Sequence, residues 1–326
     1  MKSSIFPIAK DPVPYERRVV SVPSPIGDHV AEAVVYMPEG KVKTHLFVVH
    51  DMCDNKSRYE PFAEALATYG HAVTLSDLRG HGNSPVDGQY GYFSANEGSE
   101  RQVIDIATLI GRNYQYAIPS VLLGFGMGAL FGLSYLKRNP SQIAGLILSG
   151  PYLPWVPFTL DMVLTGISSF FYPLKPGYLF RERFHRRLLE SIENPQTKFD
   201  WLNSKPEAIE AYLATDHCGE PLKKRGYFDL TLLMSDVYQS ISWQITQRRL
   251  PIQVFFGGHD PVRQLRRHGP EELVKQLRWL GYQETKLRYF PNSRHELLFD
   301  NDAQAMFNAI LEFCESRYQA AKLRQA

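Results

Sequence analysis

The stretch Ser120–Arg138, which reads SVLLGFGMGALFGLSYLKR, decides the fold of this chain. Its first six residues form a short apolar run, typical of a strand that is buried on both faces of a sheet. The pattern from Met127 onward predicts a helix. Three glycines at the junction, Gly124, Gly126 and Gly128, allow a tight turn. The stretch therefore predicts a strand, a turn and a helix in immediate succession.

Strands and helices alternate on both sides of this stretch. Two strands are predicted near the N-terminus, at Arg17–Ser24 and Val30–Met37. Further short apolar runs predict strands at His45–His50, Ala72–Asp77, Ala144–Ser149, Ile252–Gly257 and Thr285–Tyr289. Helices are predicted at Arg58–Tyr69, Gln102–Tyr114, Glu271–Leu280 and from about Asp302 to Arg324. This βαβ spacing predicts an α/β fold, with a mostly parallel sheet flanked by helices on both faces.

The alternation stops at Gly150 and resumes at Ile252. The stretch between, residues 151–249, has a mixed helical pattern and many aromatic residues, and we interpret it as an inserted helical cap. The core would then consist of two parts, residues 1–150 and residues 250–326. A length of 326 residues suits one large α/β domain with such an insertion.

Composition excludes several classes of protein. Lysine and arginine number 36 and aspartate and glutamate 34, so the net charge of +2 gives no reason to expect nucleic acid as a partner. The three cysteines are widely spaced, which favours reduced thiols and a cytoplasmic location. Their spacing is not that of a zinc site. No signal peptide or membrane-spanning run is evident. We expect neither a metal nor another cofactor.

Gly126 lies at the centre of a G-x-G-x-G turn between strand and helix. In the related G-x-S-x-G turn, the central serine is a nucleophile, and backbone N–H groups at the helix start stabilise an oxyanion. Gly126 has no side chain that could act in this way. A glycine-rich packing turn or a phosphate-binding loop are the alternative interpretations of the motif.

Asp260 and His295 strengthen the first interpretation. Each follows a predicted strand. The order along the chain, with the nucleophile position first, then the acid and then the histidine, is the order found in hydrolases that have the G-x-S-x-G turn. The acid would orient the imidazole and stabilise the imidazolium. Taken singly, Asp260 could be a turn residue and His295 a residue at a helix start. Together they predict a dyad at the carboxyl edge of the sheet.

The loop after His50 is the second place where an oxyanion would be stabilised. The donors would be the backbone N–H groups of Met52 and Met127. Asp51 places a carboxylate near the expected negative charge, which opposes an oxyanion unless the side chain points away or is protonated. Asp51 could equally be a solvated loop residue. Cys53, in the same loop, is an alternative nucleophile.

With these motifs the chain resembles the monoacylglycerol lipase and lysophospholipase branch of the α/β hydrolases, which is also described as serine aminopeptidase-like. The resemblance covers about residues 16–318, and its matching stretches include Ser76–Ser84, Leu123–Gly128, Phe199–Leu202, Gly257–Val262 and Arg294–Glu296. It implies an α/β-hydrolase fold and hydrolysis of carboxylic esters, typically monoacylglycerols or lysophospholipids. It also implies an inserted cap that holds the acyl chain.

The departures from the family pattern lie at the positions that would carry out the reaction. The family motif reads G-H-S-M-G, so Phe125 and Gly126 replace histidine and serine, and Asp51 replaces a glycine of the oxyanion loop. Asp54-Asn55 stands where the family usually has Glu-His. The retained acid and histidine favour a working enzyme whose serine was replaced. The additional departures favour a natural protein that is inactive or severely impaired as a serine hydrolase.

Three functions follow as hypotheses: an impaired hydrolase fold that keeps an apolar ligand pocket, an active ester hydrolase whose serine was replaced, and a scaffold without a pocket. The cap aromatics Phe170, Phe171 and Tyr172 are expected to line the pocket for an apolar or lipid-like ester. Arginines follow them at Arg181, Arg183, Arg186 and Arg187. Peripheral contact with an anionic membrane through the cap is an alternative role for these residues, and simple packing of the cap is another.

Overall fold

Eight strands form one sheet in the order β1-β2-β4-β3-β5-β6-β7-β8. The computed structural model describes residues 6–112, 118–154, 158–239, 243, 245–265 and 269–325. The strands are β1 (Tyr15–Pro23), β2 (Val30–Pro38), β3 (His45–Val49), β4 (Ala72–Ser76), β5 (Ser120–Phe125), β6 (Gly145–Ser149), β7 (Ile252–Gly257) and β8 (Thr285–Phe290). β2 pairs antiparallel with β1 and β4, and all other pairs are parallel. The predicted α/β fold is therefore confirmed.

Helices cover both faces of this sheet. The helices of the described residues are α1 (Glu60–Thr68), α2 (Gly98–Arg112), α3 (Met127–Arg138), α4 (Phe158–Phe171), α5 (Tyr178–Leu189), α6 (Pro206–Leu213), α7 (Lys224–Tyr238), α8 (Gly269–Trp279) and α9 (Ala303–Gln325). One apolar cluster joins the sheet to α1 and α9, and a second joins it to α2, α3 and α8. None of the helices in the described ranges is long and apolar enough to cross a membrane.

The central strands are buried on both faces, as their unbroken apolar sequences predict. Phe47 of β3 belongs to the cluster with α2 and α3, whereas its neighbour Val48 belongs to the cluster with α1 and α9. Their partners on β5, Leu122 and Leu123, alternate in the same way. Successive side chains of a strand point to opposite faces, so a strand between two helical layers must be apolar throughout.

The observed bounds differ from the predicted ones by a few residues. α2 begins at Gly98 rather than at Gln102, and its predicted end at Tyr114 lies outside the described residues. β3 and β4 end one residue earlier than predicted, which leaves His50 and Asp77 in the loops at the carboxyl edge.

Helices α4 to α7 lie between β6 and β7 in the chain, where the sequence predicts a cap. α7 packs against α3 and α2 of the core on one side and against α4 on the other. α7 therefore lies between α4 and the core helices α2 and α3. The division of the chain into residues 1–150, 151–249 and 250–326 stays a prediction.

Candidate active site

The carboxyl edge of the sheet brings together residues that are far apart in the chain. Gly126 follows β5, Asp260 lies three residues after β7, and His295 lies five residues after β8. Parallel strands point their carboxyl ends to the same edge, and the loops there meet. His295 Nδ1 lies 3.0 Å from Asp260 Oδ2, and both residues are buried. The structure thus brings the predicted acid and histidine into hydrogen-bond contact.

The turn at Gly126 has the strained shape that the sequence predicts. Gly126 has φ +48° and ψ −109°, a conformation in which a side chain is disfavoured. Its flanking glycines leave no room for a Cβ either: one on Gly124 would lie 2.3 Å from Gly128 O, and one on Gly128 would lie 2.2 Å from Val49 O. The turn ends at Met127, where α3 begins. The backbone N–H of Met127 therefore points into the site from a helix start.

The Asp51 carboxylate lies between the two backbone donors that the sequence predicts for an oxyanion. Its Oδ1 accepts hydrogen bonds from the backbone nitrogens of Met52 and Met127, at 2.6 and 2.7 Å. These are the two donors that the sequence predicts for an oxyanion. The hydroxyl of Tyr152 donates to the same carboxylate at 2.9 to 3.0 Å. Asp51 is 8% exposed, so it is neither a solvated loop residue nor turned away from the site.

The carboxylate of Asp51 also fills the volume beside Gly126. A Cβ built on Gly126 would lie 2.0 Å from Asp51 Oδ1 and 2.1 Å from Asp51 Cγ. Heavy atoms that are not bonded to each other do not approach so closely. A serine at position 126 therefore requires the Asp51 side chain to move, and the two residues fit each other as they stand.

His295 is held between two carboxylates. Its Nε2 lies 3.2 Å from Asp51 Oδ2, opposite the contact of its Nδ1 with Asp260. Burial lowers the pKa of His295, but Asp260 and then Asp51 raise it by more, to about 10. The imidazole is consequently protonated at neutral pH, with both nitrogens engaged as donors. A protonated imidazole cannot accept a proton from a nucleophile.

Little space remains around these groups. The cavity beside Gly126 and His295 has a volume of about 10 Å³, near the minimum that holds one water molecule. A second cavity, between Met52 and the cap residues Phe180 and Tyr227, has about 40 Å³. Pockets for small-molecule ligands usually have about 300 Å³ or more. Neither cavity is the lipid-sized pocket that the sequence suggested.

Comparison with known proteins shows which family this chain belongs to. The family model described as "Serine aminopeptidase, S33" matches residues 40–302. This chain belongs to the serine aminopeptidase S33 family. A monoacylglycerol lipase from Mycolicibacterium smegmatis is 22% identical over 286 residues, which cover 86% of this chain and 91% of that protein.

Solved structures of α/β hydrolases share the fold with this S33 member. A thermostable carboxyl esterase from Bacillus coagulans, in complex with glycerol, superposes with a TM-score of 0.83 at 21% identity, over 93% of this chain and 99% of that one. A soluble variant of monoglyceride lipase from Saccharomyces cerevisiae, in complex with a substrate analog, gives 0.68 at 15% identity, over 95% and 96% of the two chains. At these identities the likeness shows the fold alone.

The expectation that the cap aromatics face the site is wrong for this S33 chain. Phe170, Phe171 and Tyr172 are 82%, 65% and 53% exposed. The inward face of α4 is taken by polar side chains instead: Asp161 pairs with Arg183 at 2.8 Å, and Thr165 contacts the buried Thr231 of α7. Because these polar groups face the protein, the aromatic residues are turned to the outer surface. Of the pocket residues predicted, Asp51 and Phe125 do line the cavity beside Gly126.

Sequence reasoning missed several neighbours of His295. The ring of Tyr152 stacks on the imidazole with centroids 5.5 Å apart, and Trp201 lies at 5.0 Å. Tyr152 follows β6 at the carboxyl edge, so its position after a strand was the signal that could have found it. Glu296, next to His295, forms an ion pair with Arg58 at 2.6 Å, and Asp54 contacts the same guanidinium at 3.0 Å. The adjacency of charged residues to His295 was the only sequence signal for this cluster.

Cys53 does not have the surroundings of a nucleophile. Burial raises the pKa of its thiol, and the nearby Asp51 carboxylate raises it further. A thiol is reactive as its thiolate, which these surroundings disfavour. Among the described residues, no group of three histidine, cysteine, aspartate or glutamate side chains is placed to hold a metal ion.

Proposed function

We propose that this chain is an S33 family member that does not hydrolyse esters and that attaches to anionic lipid surfaces through its cap. One observation carries the first half of this proposal: the Asp51 carboxylate accepts both backbone hydrogen bonds that an ester oxyanion would need. A substrate carbonyl oxygen cannot occupy a site that a carboxylate already fills. Stabilisation of the oxyanion is a large part of catalysis in such enzymes.

The loss of function extends to the nucleophile and the base. Gly126 offers no oxygen, and His295 has a pKa raised to about 10 after the effects of burial, Asp260 and Asp51 combine. Each of the three parts of a serine hydrolase site is thus altered, and Asp51 is involved in all of them. The contacts of Asp51 with Met52, Met127 and His295 thus support the proposal that the site does not hydrolyse esters.

The alternative is an active ester hydrolase whose serine was replaced. The lipases and esterases among the relatives favour ester chemistry for the family at large. Against it stands the fit between Gly126 and Asp51, because a Cβ at position 126 would lie 2.0 Å from the Asp51 carboxylate. Restoring the serine alone would leave it in a volume that is already filled.

The second half of the proposal rests on the outer face of α4. Its exposed apolar residues recur at helical spacing, and each is at least 36% exposed: Leu160, Val163, Leu164, Ile167, Phe170 and Phe171. The polar residues Asp161, Thr165 and Ser169 are buried on the opposite face. The helix is therefore amphipathic with its apolar face outward. An apolar face of this kind marks an interaction site on a protein surface.

Basic side chains at the end of α4 favour an anionic lipid surface as its partner. Lys175 and Lys224 place their ammonium groups 4.8 and 5.0 Å from the ring centre of Tyr172. On α5, Arg186 is exposed as well. An exposed apolar stripe enters the acyl boundary, while adjacent cations contact acidic headgroups. The small cavities under the cap favour such surface contact over enclosure of a lipid.

Co-sedimentation with vesicles tests the attachment. We expect binding to vesicles of phosphatidylcholine with phosphatidylglycerol, and weaker binding to phosphatidylcholine alone. Phe170→Ser together with Ile167→Ser should abolish binding. Trp279→Ser is the matched control, because Trp279 is 75% exposed on α8, outside the cap. Binding that survives the α4 changes, or an absence of binding in the unchanged protein, contradicts the proposal.

Reaction with a fluorophosphonate probe tests the absence of hydrolysis. The unchanged protein should not be labelled, and it should not release product from short-chain or monoacyl esters. Loss of the nucleophile in a triad enzyme reduces turnover by about a millionfold. Rapid ester cleavage by the unchanged protein would overturn this half of the proposal without bearing on the membrane half.

A further inference from the structure

A groove crosses the amino edge of the sheet, at the end opposite to the Asp51 site. It lies where β5, β6 and β7 begin, and its walls include Ile118, Ile143 and Leu250. The C-terminal turns of α9 form its other side. Its volume is about 670 Å³, within the range of small-molecule sites. The groove shares no lining residue with the proposed inactive site or with helices α4 to α7 of the cap.

Four arginines line the groove, and no acid does. Arg248 and Arg249 come from the loop before β7, while Arg317 and Arg324 come from α9. None of the four forms an ion pair with a residue in the described ranges, although the structure has many ion pairs elsewhere. No aspartate or glutamate occurs at the positions outside those ranges. Four guanidinium groups without an ion-pair partner in the described ranges thus share one concave surface.

Two further features point to a ligand rather than to solvated charges. The hydroxyl of Ser120, a buried residue at the start of β5 that lines the groove, has no hydrogen-bond partner within the described structure. Arg317 is partly buried, and burial lowers the pKa of its guanidinium, as does Arg324, against the opposing effect of Glu284. Its own polar contact is only a 3.3 Å hydrogen bond to Ser316. Repulsion between close cations is relieved when an anion binds between them.

We propose that this groove binds a small molecule that carries a phosphate group, with Arg317 and Arg248 as the principal contacts of the phosphate. A guanidinium group donates two parallel hydrogen bonds to phosphate oxygens, and several guanidinium groups favour an anion of more than one charge. The apolar walls at Ile118, Ile143 and Leu250 accommodate the organic part of the molecule. This groove is separate from the Asp51 site and from the outer face of α4.

Isothermal titration calorimetry with phenyl phosphate and with inorganic pyrophosphate tests the proposal. We expect both to bind, more weakly as salt is raised, because opposite charges at a surface are screened. Arg317→Gln should weaken binding by about tenfold or more, the loss expected for a charged hydrogen-bonded contact. Arg248→Gln, in an exposed loop, should do the same without a risk to folding. Arg288→Gln on β8 is the control and should change nothing.

Vesicles separate the two sources of a phosphate group. If phosphatidate vesicles compete with phenyl phosphate, the group belongs to a lipid; if they do not, it belongs to a soluble molecule, and both results support the site. No binding of either probe at millimolar concentration overturns the proposal. Equal weakening by Arg317→Gln and by the Arg288→Gln control also overturns it.

Discussion

The Oδ1 atom of Asp51 lies 2.7 Å from the backbone nitrogen of Met127, the first residue of α3. A carboxylate at a helix start receives both a hydrogen bond and the favourable field of the helix dipole. In an ester hydrolase of this fold, the same nitrogen would stabilise charge that develops on the substrate. In this chain the Asp51 carboxylate is hydrogen-bonded to that nitrogen.

His295 should remain protonated well above neutral pH. Burial lowers its pKa, whereas Asp260 and Asp51 raise it to about 10. In NMR titrations of the imidazole we expect no deprotonation between pH 6 and 9, a range set by that pKa. Asp51→Asn should bring the titration closer to neutral pH, because one of the two carboxylates is lost. A histidine that titrates near its ordinary value in the unchanged protein would contradict the double ion pair.

The raised pKa of His295 also predicts how the free energy of unfolding changes with pH. A histidine whose pKa is higher in the folded state stabilises that state fully below its unfolded value of 6.5. This contribution decreases as the pH rises through the folded value of about 10. The free energy of unfolding, measured with urea, should therefore fall across this interval, and less so in Asp51→Asn. A free energy of unfolding that rises between pH 6.5 and 10 in the unchanged protein, and not in Asp51→Asn, would contradict the raised pKa of His295.

The sheet could be predicted closely from the sequence, because each buried strand needs an unbroken apolar run. The predicted bounds of β5, α3 and β7 match the observed ones. The contact of His295 with Asp260 also agrees with the order of strands, since their loops share one edge. At these positions the local sequence pattern favours the same structure as the packing of the whole sheet.

The role of Asp51 could not be predicted in the same way. Loop sequence leaves its backbone and rotamer open, and the side chain is fixed by Met127, Tyr152 and His295, which are distant in the chain. The outward turn of Phe170 was missed for a related reason. Aromatic residues are usually buried, but here the inner face of α4 carries Asp161, whose carboxylate pairs with Arg183 of α5.

Arg58 should be among the most sensitive positions for stability. Its guanidinium contacts Asp54 and Glu296, and it lies over the rings of Tyr212 and Phe299 at 4.7 and 4.2 Å. Removing one member of a buried ion cluster leaves uncompensated charges. We expect Arg58→Gln to lower the free energy of unfolding by about 3–5 kcal/mol, as measured by urea denaturation.

An exposed ion pair provides the comparison for this change. Arg17 pairs with Glu60 at 3.0 Å, with side chains 43% and 25% exposed. Arg17→Gln should lower the free energy of unfolding by at most about 1 kcal/mol, because solvent screens such pairs. Equal effects of the two substitutions would show that the Arg58 cluster is not buried in solution.

The three cysteines should be unreactive in the folded protein. Burial raises the pKa of the Cys53, Cys218 and Cys314 thiols, that of Cys314 to about 12. Reaction with a thiol reagent such as DTNB at pH 8 should therefore follow the rate of unfolding. Addition of denaturant should release all three thiols. Fast modification of Cys53 in the native protein would restore it as a candidate nucleophile.

Labelling by a fluorophosphonate probe in a set of three variants tests the central claim that Asp51 and Gly126 together keep the site inactive. Gly126→Ser alone should label slowly, because its side chain meets the Asp51 carboxylate and the backbone donors stay occupied. Adding Asp51→Gly frees those donors and lowers the pKa of His295, so the double variant should label at least about a hundredfold faster. Asp51→Gly alone should not label. Equal labelling of Gly126→Ser with and without Asp51→Gly, in proteins that melt at similar temperatures, would contradict the claim.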